Sequence, residues 1–493
     1  MLVANPLART TVTTTTTPSA PTCEDDVMVY ALVLLWSATE SHRVGQLAFL
    51  SPCEELLVGR GDLSPRKFAR FGWHRPGMPL VVQPGQEFLE GDKISRIHLL
   101  LVASAVGVEM KKLGRKSTRV NGKECGETTM LQEGDRILIA KQVLLLVVRR
   151  PRGLPVSPGR ELHPFGEPDA EGRIGESFQA WLSRNQLDDA ARFDKHVLIQ
   201  GETGTGKELA AFAVHTRSRR AKGPYVSLNI ASVPSKIIDS EIFGIKANYP
   251  NPGTPASDGV FGDAEHGTVF LDEVGDCSLK MQTKLLRALD PGECRRVGES
   301  KFRHVDVRIV AATNKGDEAF RKDFRGRFQM VVRLVPLRER KEDIPHHVRH
   351  LLVRAAASDP DRRDRLFFQG LSGRLEPRLS GFFVEYLVGH ALERNTRELD
   401  EILLHALITS KGEEITLPGL DAAQEPAAAA PASGPASAGG RGAVKEITKE
   451  QVLAALRHYG GNVSRAAKAL GIGRTAMYEL MARFGIKGGV PTA

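Results

Sequence analysis

The stretch Gly201-Glu202-Thr203-Gly204-Thr205-Gly206-Lys207 has the spacing G-x-x-x-x-G-K, with the strand-like run His196 to Gln200 before it and the helical run Glu208 to His215 after it. Glycines at these places let backbone N–H groups close around phosphate, the helix N-terminus adds a favourable dipole, and Lys207 can reach β- and γ-phosphate oxygens. Glu208 takes the next position, where a Ser or Thr usually helps hold magnesium. About 65 residues on, Gly267-Thr-Val-Phe-Leu-Asp272-Glu273 ends an apolar strand in two carboxylates. One suits a magnesium-water ligand, the other a base for an attacking water. Either motif alone also suits a glycine-rich turn or an acidic strand end. Together they point to ATP and Mg2+ as ligands and to hydrolysis as the chemistry.

Charge is the second signal. The chain carries 68 Lys and Arg against 59 Asp and Glu, a net +9, and Arg441 to Ala493 alone holds nine basic residues against three glutamates. A compact basic terminus predicts a polyanion partner, with DNA first. The five cysteines, Cys23, Cys53, Cys125, Cys277 and Cys294, show neither Cys-x-x-Cys pairs nor histidines at metal spacing, which argues against a disulfide framework and a zinc ribbon. No apolar run approaches the roughly 20 residues of a membrane span, and no N-terminal signal pattern is apparent. A cytoplasmic, reduced setting without membrane contact is expected.

The elements that must position these residues follow from composition shifts along 493 residues, more than one core usually serves. Residues 1–26, with a threonine run ending in Pro18 and Pro21, read as a disordered tail. Residues 27–149 alternate short apolar runs with turn signals such as Gly59-Arg60-Gly61, Asn121-Gly122 and Gly134-Asp135, which predicts a β-sandwich. Five prolines between Pro151 and Pro168 mark 150–172 as a linker. Residues 173–345 alternate strand-like and helical runs, predicting a parallel α/β sheet, and 346–421 a helical lid. Residues 422–444 are an Ala, Pro, Ser and Gly tether, 445–487 hold three short helical patterns, and 488–493 are a tail.

Gly201 to Glu208, the strand ending Asp272-Glu273, Val307-Arg-Ile-Val-Ala-Ala-Thr-Asn314 and Leu337-Arg-Glu-Arg-Lys-Glu-Asp-Ile-Pro345 closely resemble the AAA+ domain of sigma-54-dependent bacterial transcriptional activators, over about residues 173–415. In that family the position after the lysine is normally Glu, which accounts for Glu208. The resemblance implies phosphate binding by Lys207, magnesium binding by Asp272, water activation by Glu273 and γ-phosphate sensing by Asn314. It implies that Asn229, in Val226-Ser-Leu-Asn229, restrains the catalytic glutamate before ATP engages. Phe320-Arg-Lys-Asp-Phe-Arg-Gly-Arg327-Phe resembles the arginine-finger segment, with Arg321 and Arg327 at its two arginine positions and Arg325-Gly326 where aromatics are usual. Fingers inserted from a neighbouring subunit imply hydrolysis in a ring. Asn395-Thr-Arg397-Glu-Leu399 matches the second sensor, with Leu392-Glu393-Arg394 in place of the usual Trp-Pro-Gly, and makes Arg397 a phosphate reader.

One loop departs from that family. Its activators carry a Gly-Ala-Phe-Thr-Gly-Ala loop that engages the sigma factor, whereas the corresponding stretch here is Phe243-Gly-Ile-Lys-Ala-Asn-Tyr-Pro-Asn-Pro-Gly253. Pro250 and Pro252 restrict what should be a mobile tip. Either the output differs, or the ring couples ATP to something other than the sigma-54 RNA polymerase holoenzyme.

At the N-terminal end, Leu57-Val-Gly59-Arg60-Gly61, Ile94-Ser95-Arg96-Ile97-His98, Val120-Asn121-Gly122 and Gly134-Asp135 resemble, in order and spacing, a forkhead-associated (FHA) domain over about residues 27–149. Such domains bind phosphothreonine peptides; the resemblance implies Arg60, Ser95 and Arg96 at the phosphopeptide, His98 as a buttress, and Lys116 about where a peptide-binding Asn is expected. At the other end, Gly460-Gly-Asn462-Val-Ser-Arg465-Ala-Ala-Lys-Ala-Leu470-Gly-Ile-Gly-Arg474-Thr475-Ala-Met-Tyr478 resembles the Fis-type helix-turn-helix. That implies Arg474, Thr475 and Tyr478 facing the major groove and Arg465 near phosphate.

The expected architecture is multidomain: an all-β FHA sandwich, an α/β AAA+ P-loop ATPase with a small α-helical lid, and a C-terminal all-α helix-turn-helix. The expected function is ATP-dependent, sequence-specific transcription regulation. A threonine-phosphorylated protein would bias assembly of a homo-oligomer, from a dimer to a hexameric or heptameric ring, at an enhancer-like DNA site. The competing class is a DNA-bound phospho-dependent adaptor that binds ATP without remodelling sigma-54. A housekeeping unfoldase would leave the C-terminal DNA reader unexplained.

Overall fold

The computed structural model describes residues 27–61, 67–84, 86–290, 292–371 and 373–420, with Lys449 beyond them. The chain divides into a unit up to Glu425 and a second from Pro426, and the elements below belong to the first. The expected helix-turn-helix lies outside the described residues.

Ten strands, β1 (Met28–Ser37), β2 (Leu47–Phe49), β3 (Glu55–Val58), β4 (Leu99–Ser104), β5 (Gly107–Lys112), β6 (Thr118–Val120), β7 (Lys123–Glu124), β8 (Thr128–Leu131), β9 (Arg136–Ile139) and β10 (Val143–Pro151), form two antiparallel sheets. Their orders are β2-β1-β10-β9-β6-β7 and β3-β4-β5-β8. Strand β1 is almost wholly apolar, which is unusual in a sandwich with one wet face. The reason is that both of its faces are covered. Tyr30, Leu32 and Leu34 point into the sandwich with Val143, Leu145 and Val147 of β10. Ala31, Val33 and Leu35 point the other way with Leu144 and Leu146, into a second core.

That second core is completed by a helical lid made of α7 (Ile344–Ala356), α8 (Pro360–Leu366), α9 (Gly381–Gly389) and α10 (Thr396–Thr409), with a hairpin of β18 (Phe367–Gln369) and β19 (Leu375–Pro377). Val348, Leu352, Phe383, Val384 and Leu387 meet the outer face of the six-stranded sheet.

Between sandwich and lid in sequence lies the α/β body. Its parallel sheet has the order β12-β13-β16-β11-β17, from β11 (Val197–Gln200), β12 (Tyr225–Asn229), β13 (Thr268–Asp272), β16 (Arg308–Thr313) and β17 (Met330–Arg333). Helices α1 (Phe178–Arg192), α2 (Lys207–Thr216) and α5 (Leu279–Leu289) cover it. Short helices α3 (Ile238–Phe243), α4 (Gly259–Asp263) and α6 (Lys322–Arg325), and a hairpin of β14 (Glu293–Cys294) and β15 (Arg303–His304), complete the body. Central strands are apolar on both faces: Leu198, Leu271 and Ala311 pack toward Leu285 of α5, while Ile199, Phe270 and Ala312 pack toward Ala210 and Val214 of α2.

The proline-rich segment after β10 connects sandwich to body, yet it is packed. Ser157 Oγ donates to Asn185 at 2.9 Å, Arg160 to Asp188 at 2.7 Å, and the His163 ring stacks on Trp181. Proline content reports the lack of regular hydrogen bonding, and these side chains supply the order.

Candidate nucleotide site

Strand β11 lies between β16 and the edge strand β17, where the strand order reverses, so its C-terminal end opens at the place where α/β folds bind ligands. The loop 201–206 leaves β11 and α2 begins at Lys207. Gly204 has φ +79° and a Cβ there would strike the Arg394 carbonyl oxygen; Gly206 has φ +89°. Both positions therefore demand glycine. Lys207 is buried, donates from Nζ to the carbonyls of Gly201 (3.1 Å) and Glu202 (3.3 Å), and sits 3.7 Å from Glu273 Oε1.

Glu273 holds a left-handed φ of 52°, a strained state for a side-chain-bearing residue that tends to mark functional sites. Its amide donates to Asp272 Oδ1 at 2.9 Å, and its buried Oε2 has no partner among the described residues. Asn229 ends β12 beside β13 in register with Asp272, and its amide donates to Asp272 Oδ2 at 3.4 Å. The expected restraint on Glu273 is thus not the contact made: Asn229 addresses the neighbouring carboxylate. Glu208 is exposed on the first turn of α2, and burial together with the Glu208 and Asp272 charges raises the Tyr225 phenol. Asn314 is exposed just past β16, whose Thr313 carbonyl accepts from Gly201 N at 3.1 Å.

The lid closes over this loop through residues that motif reading passed by. Asn395, fully buried, donates to Thr203 O (3.0 Å) and Glu202 Oε2 (3.2 Å) and accepts from Leu337 N (2.7 Å). Thr396 Oγ1 donates to Gly204 O at 2.7 Å. Arg338 grips Glu202 with two bonds of 2.6 Å, and that hydrogen bonding holds the Glu202 carboxyl below its usual range. Arg397 follows the clamp, exposed beside Gly204. Next to Thr205 and Gly206 a cavity of about 180 Å³ is lined by Arg173, Ile174, Val335, Arg340, His347 and Leu351 among others. The Asn395-Thr396 pair stood inside the second-sensor match, and its polar types were the available signal.

Residues 174–337 match the sigma-54 interaction domain, and residues 443–484 match the bacterial regulatory protein Fis family. Over 321 residues the chain is 36% identical to the transcriptional regulatory protein ZraR of Klebsiella oxytoca, covering 63% of this chain and 69% of that one. The chain belongs to the sigma-54 transcriptional regulator family. It is also 35% identical over 341 residues to the nitric oxide reductase transcription regulator NorR2 of Cupriavidus necator, covering 64% and 63% of the two chains. Among solved structures, NtrX from Brucella abortus in complex with ATP is similar at 26% identity and a TM-score of 0.45, covering 64% of this chain and 69% of that chain.

In this family member the two finger candidates are exposed and occupied locally. Arg321 donates to Asp323 at 3.0 and 2.8 Å, and Arg327 pairs with Asp290. The stretch after α3 is a closed hairpin. Ile245 bridges Ser257, Asn248 N donates to Thr254 O at 2.8 Å, and Gly253 N donates to Asn248 Oδ1 at 2.9 Å. The half-exposed Tyr249 ring lies on Gly298 of the β14–β15 hairpin, where a Cβ would come within 2.5 Å of it.

At the end of the sandwich, backbone bonds from Arg60 N to Ser95 O (3.1 Å) and Gly61 N to Arg96 O (3.0 Å) bring three of the expected residues together. Arg60 and Arg96 are exposed, with Lys116 and Arg115 also exposed on the following loop. His98 is buried beneath them: its Nδ1 accepts from Ser95 N at 3.2 Å and its Nε2 meets Thr118 Oγ1 at 3.0 Å. Burial lowers the His98 imidazole to about 4, so it is neutral at neutral pH. Arg465, Arg474, Thr475 and Tyr478 lie outside the described residues.

Among the described residues no helix is long and apolar enough to cross a membrane, and no cluster of metal-ligating side chains is found.

Proposed function

We propose that this family member is an ATP-hydrolysing, DNA-bound transcription regulator whose assembly into a ring responds to a threonine-phosphorylated partner. The observation that carries the hydrolytic part is the approach of Lys207 to Glu273 at 3.7 Å, with the second Glu273 oxygen buried and without a partner among the described residues. Lys207 exchanges its carbonyl contacts for phosphate oxygens, and the first-turn amides of α2 add donors. Glu273 orients a water and receives its proton. Asp272 offers a hard oxygen donor of the kind that would hold Mg2+, which would supply neutralisation of phosphate charge. Arg321 and Arg327 serve the site of the adjacent subunit, which requires them to leave Asp323 and Asp290. Asn314 and Arg397 read the γ-phosphate. Arg465, Arg474, Thr475 and Tyr478 supply the DNA contacts.

The regulatory part rests on the convergence of Arg60, Ser95 and Arg96 over a neutral, buried His98. Paired guanidinium and hydroxyl donors on one sheet end suit a phosphothreonine dianion. A second reading has specific support: the closed hairpin with Pro250 and Pro252 lacks the Gly-Ala-Phe-Thr-Gly-Ala motif, which favours a phospho-dependent adaptor that does not remodel sigma-54. Promoter output in a reconstituted system separates the two. Glu273→Gln abolishes output if the chain is a motor and leaves it intact if the chain is an adaptor. Binding of a threonine-phosphorylated peptide library, lost in Arg60→Ala, tests the sensor in either case; no binding by the native chain removes that step.

A further inference from the structure

Arg150, near the end of β10, is an arginine of the sandwich buried against the turn Lys341–Asp343 that leads into the lid. Its Nη1 donates to Glu342 Oε2 at 2.9 Å, while its Nε and Nη2 are shielded and have no partner among the described residues. Buried polar groups are normally satisfied, and a native exception calls for a reason. The Glu342 side chain is largely out of water, about 10% exposed against 4% for Arg150. Desolvation pushes its carboxyl up, the adjacent Asp343 charge does the same, and Arg150 and the Phe178 amide pull it back.

Glu342 is joined to the nucleotide pocket through its chain neighbour. Asp343, fully buried, accepts from Glu176 N (2.7 Å), Ser177 N (2.9 Å) and Ser177 Oγ (2.7 Å), fixing the start of α1, and lies 3.5 Å from Arg340 Nη1. Arg340 in turn donates to Val335 O at 3.2 Å and approaches Ile174 O at 3.5 Å. Ile174, Val335 and Arg340 line the cavity beside Thr205 and Gly206. The apolar seam of β1 and β10 against α9 and α7 leaves little freedom between sandwich and lid, because packed cores move as units rather than deform.

We propose that Arg150 is a positioning residue for nucleotide binding: by pairing with Glu342 it lets the sandwich set the turn that shapes the cavity wall. This rests on reading that cavity as part of the nucleotide site. The sandwich thereby acts on nucleotide affinity without touching the nucleotide, and a partner that shifts the sandwich shifts affinity through this pair.

The test titrates a fluorescent N-methylanthraniloyl-ADP into the full chain and four variants, Arg150→Lys, Arg150→Met, Glu342→Gln and the double Arg150→Met/Glu342→Gln, with melting temperatures recorded without nucleotide. Arg150→Met weakens binding by about tenfold, because the tie between sandwich and turn is lost, while Arg150→Lys stays within about threefold of the native chain and the double variant is no weaker than either single variant. Glu342→Gln alone strands the guanidinium and also weakens binding. Native-like affinity in Arg150→Met, whatever its melting temperature, would overturn the proposal, as would a double variant whose loss is the sum of the two single losses. If the native chain binds no nucleotide while remaining folded, the nucleotide reading fails first and takes this one with it.

Discussion

Lys207 and Glu273 pair at 3.7 Å beside the glycine-rich loop, and the residues that fix that loop are themselves held. Asn395 is the clearest case, since its buried amide serves both Thr203 and Glu202 while its oxygen serves Leu337. Asn395→Ala takes the partner from the Leu337 amide and the Thr203 carbonyl while Glu202 keeps Arg338, so a loss of about 1–3 kcal/mol is expected, read as a lower denaturation midpoint together with weaker nucleotide binding. His98 makes a prediction in pH. Its imidazole is lowered by burial to about 4 in the fold against the ordinary 6.5, so between those values the unfolded chain takes up a proton that the folded chain refuses. Stability present above pH 6.5 is therefore lost as pH falls, by up to about 2 kcal/mol at pH 5 from this residue. His74, lowered to about 4, and His347, lowered to about 3, act in the same direction. His98→Gln should flatten part of the slope of melting temperature between pH 7 and pH 5; an unchanged slope would mean that His98 is not held neutral.

At the scale of elements, β10 carries adjacent leucines that serve different cores. Leu145 faces the sandwich interior and Leu146 faces the lid, both fully out of water. Truncation of either to alanine is expected to cost about 2–5 kcal/mol in urea denaturation. A cost below about 0.5 kcal/mol for Leu146→Ala would mean that the outer sheet face is solvent-exposed and the seam is absent. That seam shows where sequence reading stops. The apolar run of β1 has the length of a strand, and its missing polar alternation is also a sign that both faces are covered. What covers the outer face lies more than 300 residues away in α9 and α7, and periodicity carries no address. The phosphate loop and the Asp272-Glu273 strand end were legible because each is local and its geometry follows from a few consecutive residues. The Asn395 clamp and the Arg150–Glu342 pair were not, because each joins positions about 190 residues apart.

On the scale of the whole molecule, the parts are a sandwich fused to a lid, a lid clamped onto a phosphate loop, and a second unit matching the Fis family. Removal of residues 1–151 strips the cover from Val33's partners on the lid, including Phe383 and Val384, and takes Arg150 from Glu342. The truncated chain is expected to expose a large apolar patch, seen as enhanced binding of an anilinonaphthalene sulfonate dye and self-association in sedimentation. The central claim is that Arg321 and Arg327 complete a neighbour's site, so that hydrolysis belongs to the assembly rather than to the single chain. The most direct measurement is ATP turnover per subunit across a protein concentration series, with Glu273→Gln and Arg327→Ala in parallel. The account predicts turnover that rises with concentration and vanishes in both variants; turnover independent of concentration, or retained in Arg327→Ala, would contradict it.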